Sequence, residues 1–117
     1  MSSEDIGFLR HILDELEYLI NYTKDLDRDD FLKDATLQRA FTRSIEIIGE
    51  ATKKLPDGLK EKYPGIEWKA MAGMRDKLIH DYMGVDYELV WDILIEKVPK
   101  LKEVVKGMIE KEAHKTK

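Results

Sequence analysis

Apolar residues recur every three or four positions through most of the chain, which is the spacing of amphipathic helices. The first stripe predicts a helix that Ser2 or Ser3 caps and that ends near Asp25. Its members are Ile6, Leu9, Leu13, Leu16 and Ile20, with Ile12 and Leu19 widening it. A loop rich in helix-capping residues follows, and Asp34 is placed to cap a second long helix over about residues 35–54.

A third stripe organises the segment IEWKAMAGMRDKLIHDYMG, residues 66–84. It predicts a helix that Gly84 ends. The members of this stripe are Trp68, Met71, Ala72, Arg75, Ile79 and Tyr82. A guanidinium keeps its charge at any working pH, so a helix facing only a core would avoid Arg75. This helix therefore carries candidate chemistry as well as core packing.

Two glycines and one proline modify this helical pattern. Gly49 and Gly73 lie inside predicted helices, where glycine is unfavourable, and each predicts a close crossing with another helix. Asp86 is placed to cap a fourth helix, and Pro99 predicts a break or bend before a fifth. The expected fold is all-α, an up-and-down bundle of four to five helices in one domain over residues 1–117, with residues 113–117 frayed. Met71 and Met74, beside the expected crossings, predict a homodimer.

Composition and charge narrow the classes of function. The 117 residues include no cysteine, which excludes a disulfide framework, a thiolate metal site and a cysteine nucleophile. Neither a signal peptide nor a membrane-length apolar run is present, so we expect a cytoplasmic protein without a membrane partner. The net charge of −4 argues against a sequence-indifferent nucleic-acid binder, although residues 97–117 carry seven lysines against three glutamates.

The candidate chemistry is concentrated in eight residues, where Arg75, His80 and Tyr82 occur together. A histidine can transfer protons near neutral pH, and an arginine can hold phosphate oxygens and stabilise developing charge. With RNA, which supplies its own 2′-hydroxyl nucleophile, these two groups need no metal or cofactor. Positions five apart on an ideal helix differ by about 140° in azimuth. Either the helix unwinds near His80, or a two-fold axis pairs Arg75 of one subunit with His80 of the other.

Each of these residues also has a purely structural explanation. Arg75 could pair with Glu46 or Glu50, and His80 could be a surface imidazole beside Asp76 and Asp81. Tyr82 could simply pack at a helix end. Elsewhere, His11 with Asp14 and Glu15 lacks the paired Glu-x-x-His motifs of a metal-binding bundle, so no metal site is expected.

The order R-x4-H-x-Y, preceded by GM and followed by MGVDYELVW, resembles the HepT-like group of HEPN proteins, as does EIIGEATKKLP upstream. The resemblance extends from RHILDELEYLINYTK to VPKLKE. It implies a HEPN-like bundle acting as a dimeric, metal-independent endoribonuclease, the toxin of a two-gene toxin–antitoxin pair. The implied partner is a minimal nucleotidyltransferase antitoxin that transfers AMP to the motif tyrosine. Carried over to this sequence, Arg75 and His80 would be catalytic and Tyr82 modified. Apart from the resemblance, Asp76, Lys77, Asp81 and Glu50 are candidate supporting residues.

Two other classes of function stay open from the sequence. The bundle could bind a nucleotide or a partner without catalysis, with Arg75 gripping a phosphate presented to a nucleotidyltransferase. It could instead serve chiefly as the substrate of its partner, with modification of Tyr82 as the decisive event. A ribonuclease needs a positive surface, and in this acidic chain Arg75, Lys69, Lys77 and the lysines of the last helix would supply it.

Overall fold

A computed structural model describes residues 2–74, 76 and 84–115, and these residues are organised as helices. Residues 75–83, which include R-x4-H-x-Y, are called the motif segment. Before it lie α1 (Ser3–Thr23), α2 (Arg28–Lys33), α3 (Ala35–Lys53), α4 (Asp57–Lys62) and α5 (Trp68–Ala72). After it lie α6 (Tyr87–Asp92), a π-helical turn (Ile93–Lys97) and α7 (Val98–Lys115). The predicted all-α bundle is confirmed.

Side-chain caps fix where several helices begin. Ser2, Asp34 and Asp86, all expected as caps, accept backbone N–H bonds at the starts of α1, α3 and α6. Asp27 does the same for α2, with a distance of 2.8 Å to the amide nitrogen of Asp30. Each cap satisfies an amide that has no partner inside its helix.

The core lies where α1 packs between α3 and α7. The apolar stripes of these three helices face one another there, as their periodicity predicted. The apolar side chains of these three helices with at most 1% exposure are Leu9, Ile12, Leu16, Leu19, Phe41, Ile45, Ile48, Val98, Val105 and Met108.

Aromatic packing joins α2 to α3 and α6. The buried ring of Phe31 stacks on Phe41 with 5.6 Å between ring centroids, and on Trp91 with 5.5 Å. Tyr87 meets Phe31 edge-on at 6.4 Å. The short helix α2 is thereby held against the elements on either side of the motif segment.

The two helical glycines have different roles. A Cβ atom at Gly49 would lie 3.3 Å from the carbonyl oxygen of Ala72, so the predicted close approach of α3 to another helix is confirmed. Among the described residues, a Cβ atom at Gly73 would meet only the carbonyl oxygen of Lys69 in its own helix, so the close crossing predicted there is not found in that part of the chain. Gly73 instead ends α5 with φ −93° and ψ 3°, and helical structure resumes at Met74. The expected single helix over residues 66–84 is therefore interrupted, because glycine readily leaves the helical conformation.

The bend expected at Pro99 is a π-helical turn. Proline cannot donate an N–H, and its ring clashes with the carbonyl four residues earlier in an α-helix. The turn directly precedes α7, and the amide of Val98 donates to the carbonyl of Ile93, five residues back. The wider turn accommodates Pro99 as the second residue of α7 while Ile93 and Leu94 stay buried.

Candidate functional site

The residues with the predicted chemistry, Arg75, Lys77, His80, Asp81 and Tyr82, lie outside the described residues. The structure does describe both flanks of this motif segment. Met74, directly before the segment, is buried, and Asp76 within it is exposed. Gly84 is the first residue after it. The elements on either side of the segment therefore set where it begins and ends.

On the near side, α5 is fixed by an indole and by two buried methionines. The Nε1–H of Trp68 donates to the carbonyl oxygens of Lys60, at 3.0 Å, and of Tyr63, at 3.1 Å. Met71 and Met74 are 3% and 7% exposed. These contacts anchor the helix that leads directly to Arg75.

The segment before α5, which includes Lys62 and Tyr63, contacts Glu112 near the C-terminal end of α7. The ammonium of Lys62 lies 3.4 Å from Glu112 Oε1, and the Glu112 side chain is fully buried. Burial raises the pKa of Tyr63, and the charge of Glu112 and a hydrogen bond to it raise that pKa further. The sequence did not predict this contact, because Glu112 lies next to the tail that was expected to fray and is 50 positions from Lys62.

On the far side, the chain leaves the motif segment through Gly84. This glycine has φ +96°, in the left-handed region that favours glycine. Two residues later Asp86 caps α6, with its Oδ1 accepting from the amide of Leu89 at 3.1 Å. The end of the motif segment is thus set by a glycine turn and a capped helix, as the sequence predicted.

The glutamates proposed as alternative partners of Arg75 have neighbours within α3. Glu46 lies 3.5 Å from the guanidinium of Arg43, and Glu50 lies 3.6 Å from the ammonium of Lys53. Both are helix-face pairs of the kind that contributes little to stability. Glu50, a predicted supporting residue, is exposed and lines a small cleft with Phe8 and His11. Across the described ranges, no three histidine, aspartate or glutamate side chains gather as a metal site would require.

Two grooves flank α5. One, of about 370 Å³, is mainly apolar and is lined by Met71, Met74, Leu89, Ile93 and Leu101, among others. The other, of about 760 Å³, lies between the end of α3, α4 and α5 and carries Lys53, Lys60, Trp68 and Lys69. We call this second groove, which is lined by these four residues among others, the basic groove. Lys69 was expected to supply positive surface, whereas Lys53 and Lys60 were missed because they come from different helices.

Comparison with known proteins decides the family. A family model described as "Ribonuclease HepT-like" matches residues 12–108, a span that includes the whole motif segment. The chain belongs to the HepT-like ribonuclease family. The enzyme class expected from the sequence, a ribonuclease, is thereby confirmed.

Several relatives of this HepT-like chain carry names of the same kind. A protein of Caldanaerobacter subterraneus named "Putative RNase" is 50% identical, with 90% of this chain and 94% of that protein covered. Another with that name, from Methanocaldococcus jannaschii, is 44% identical over 95% of this chain and 100% of its own length. A "Probable ribonuclease HepT" of Thermococcus cleftensis is 43% identical, covering 81% and 86% of the two chains. No solved structure gives a significant match.

Two further predictions concern a membrane-spanning helix and a homodimer. None of the described helices is both long enough and apolar enough to cross a membrane. Met71 and Met74, on which the expected homodimer partly rested, are already buried within one chain. The homodimer therefore stays a prediction that rests on the motif geometry.

Proposed function

We propose that this HepT-like ribonuclease is the toxin of a two-gene toxin–antitoxin pair. It is an endoribonuclease that cleaves RNA without a metal ion, through Arg75 and His80 at a cleft between two subunits. The observation that carries the proposal is the family match over residues 12–108, which spans R-x4-H-x-Y in its expected context.

The proposed reaction is an internal transfer at phosphorus. Neutral His80 takes the proton of a ribose 2′-hydroxyl, and the 2′ oxygen attacks the adjacent phosphorus. The bond from phosphorus to the 5′ oxygen breaks, and that oxygen leaves with a proton from solvent. Arg75 holds the non-bridging oxygens and stabilises the charge that develops on them. The products are a 2′,3′-cyclic phosphate and a 5′-hydroxyl.

The product ends test this reaction. RNA fragments made by the purified protein should accept a labelled phosphate from polynucleotide kinase without prior phosphatase treatment, because their 5′ ends are hydroxyls. Fragments with 5′-phosphate ends would contradict attack by the 2′-hydroxyl, since they would require water as the nucleophile.

The proposal includes a partner that silences the toxin. A minimal nucleotidyltransferase antitoxin would transfer AMP from ATP to the hydroxyl of Tyr82, releasing pyrophosphate. The added phosphate carries negative charge, so it would repel the RNA backbone from the motif. Support comes from the motif tyrosine and from the family to which the chain belongs.

Mass spectrometry tests the modification. After co-expression with the neighbouring nucleotidyltransferase, the wild type should gain mass in units of AMP on Tyr82, and RNA cleavage should fall. The Tyr82→Phe variant should gain none, because it lacks the acceptor oxygen. Modification at another residue, or full cleavage by the modified protein, would contradict this part of the proposal.

A further inference from the structure

The basic groove brings together residues from three elements that are distant in sequence. Lys53 ends α3, Lys60 lies in α4, and Trp68 and Lys69 begin α5. All four line one groove of about 760 Å³. We propose that this groove binds single-stranded RNA and leads it to the scissile position, an inference that rests on the proposed function.

The lysines of the groove are available to phosphates. Lys60 and Lys69 have no ion-pair partner within the part of the chain that the structure describes. Lys53 is 3.6 Å from Glu50, but both side chains are about half exposed, so water screens the pair and a phosphate can compete for the ammonium. Asp57 and Glu67 also line the groove, so its formal charge is positive by one unit.

The indole of Trp68 adds a surface on which a base can stack. Its Nε1–H bonds to the carbonyl oxygens of Lys60 and Tyr63 hold the ring in one orientation. Trp68 is partly buried and is one of the residues that line the groove. A fixed aromatic ring among lysines is the combination that proteins use to hold single strands without reading their sequence.

Chain connectivity places this groove next to the proposed catalytic arginine. Ala72 forms part of the groove wall, and Arg75 follows three residues later. Only Gly73 and Met74 separate Ala72 from Arg75 in the sequence. RNA in the groove would therefore lie within a few nucleotides of the cleaved bond. The positive charge needed to bind RNA would then be concentrated in this groove, although the chain as a whole has a net charge of −4.

Binding of a fluorescein-labelled oligouridylate tests the assignment. Every protein in this assay also carries His80→Ala, so that the RNA is not cleaved. The groove variant carries Lys53→Gln, Lys60→Gln and Lys69→Gln. The control carries Lys24→Gln, Lys33→Gln and Arg39→Gln, at exposed basic residues outside both the groove and the last helix, with the same change in net charge. Glutamine is close to lysine in helix propensity, so both should fold, as circular dichroism will verify.

We expect the groove variant to bind at least tenfold more weakly and the control to change less than twofold. Losing three phosphate contacts should also reduce the slope of log Kd against log salt by about two. In the cleavage-competent background, KM should rise while kcat stays nearly constant, because the lysines position RNA and do not touch the reacting atoms. Equal affinities of the two variants would overturn the inference.

The emission of Trp68 gives an independent reading in a Trp91→Phe background, where it is the remaining tryptophan. Saturating oligouridylate should quench this emission if a base stacks on the indole, and the groove variant should need more RNA for the same quenching. Unchanged emission at saturation would overturn the inference.

The outcomes separate this inference from the proposed function. If the wild type cleaves RNA and the groove variant cleaves it with the same KM, the inference alone fails. If the groove variant keeps RNA binding but no longer binds the nucleotidyltransferase partner, the groove is a protein interface and the inference fails. If the wild type neither binds nor cleaves RNA, the proposed function fails with it.

Discussion

A Cβ atom added at Gly49 would lie 3.3 Å from the carbonyl oxygen of Ala72, whereas one added at Gly107 would meet no atom of the described residues within 4 Å. Both glycines lie inside long helices, where alanine is favoured by about 1 kcal/mol. We expect Gly107→Ala to raise the free energy of unfolding by about that amount. Gly49→Ala should gain less, because α5 must move by a few tenths of an ångström.

A larger side chain at Gly49 makes this prediction sharper. Gly49→Leu should lower the free energy of unfolding by about 1–3 kcal/mol, the usual cost of overpacking. It should also reduce RNA cleavage, because α5 leads directly to Arg75. Urea unfolding measures the stability of each variant. Equal stabilisation by Gly49→Ala and Gly107→Ala, with Gly49→Leu tolerated, would show that α5 does not depend on this contact.

The phenol of Tyr63 gives a pH dependence. Its pKa is raised above the usual value of 10.0 by burial and by Glu112, so the folded state favours the neutral phenol. That stabilisation is complete below about pH 10 and is lost as the pH rises through the folded pKa. The free energy of unfolding should therefore fall less steeply above pH 10 in Tyr63→Phe than in the wild type.

Titration of tyrosinate absorbance provides the companion measurement. Tyr18 also has a raised pKa, from burial and from the neighbouring Tyr22 and Glu15, so Tyr63→Phe should remove one of the two late-titrating groups among the described tyrosines. Identical stability slopes for wild type and Tyr63→Phe would mean that the contact between Tyr63 and Glu112 is not maintained in solution.

Among the elements, α2 depends on one aromatic side chain. Phe31 is fully buried between Phe41 and Trp91, so Phe31→Ala should cost about 3–5 kcal/mol. The control is Tyr22→Ala, at a side chain that is 58% exposed, which should change stability by at most about 0.5 kcal/mol. Urea unfolding compares the two. Similar costs for both variants would contradict the packing of α2 on α3 and α6.

Periodicity and caps predicted most of the helices, because local sequence determines both. Ser2, Asp34 and Asp86 all cap where expected, and the apolar stripes of α1 and α3 are buried. The break at Gly73 was missed, because a glycine inside an apolar stripe is equally compatible with a tight crossing and with a helix end. The crossing partner of Gly49 depends on tertiary packing, which periodicity does not contain.

The candidate site was predicted unevenly for the same reason. Arg75, His80 and Tyr82 occur within eight residues, so a single sequence motif identifies them as candidate site residues. The basic groove takes lysines from three helices, and the burial of Glu112 depends on a connector 50 positions away. Such groups come together only through the fold, so no local pattern in a single sequence identifies them.

For the whole molecule, the proposed dimer predicts complementation. If Arg75 of one subunit works with His80 of the other, mixed dimers of Arg75→Ala and His80→Ala contain one intact site. Random pairing makes half of the dimers mixed, so refolded mixtures should recover about a quarter of wild-type cleavage in a two-fold dimer. Recovery near zero, with mixed dimers demonstrated by differently tagged subunits, would place both residues of each site in one subunit.

The central claim is that this HepT-like ribonuclease cleaves RNA through Arg75 and His80 without a metal ion. The most direct test is cleavage of an end-labelled RNA pool by purified wild type and by His80→Ala, both in EDTA. We expect the wild type to cut the RNA and His80→Ala, purified identically as the control for contaminating nuclease, to leave it intact. Equal cutting by the two proteins, or loss of wild-type cutting in EDTA, would contradict it.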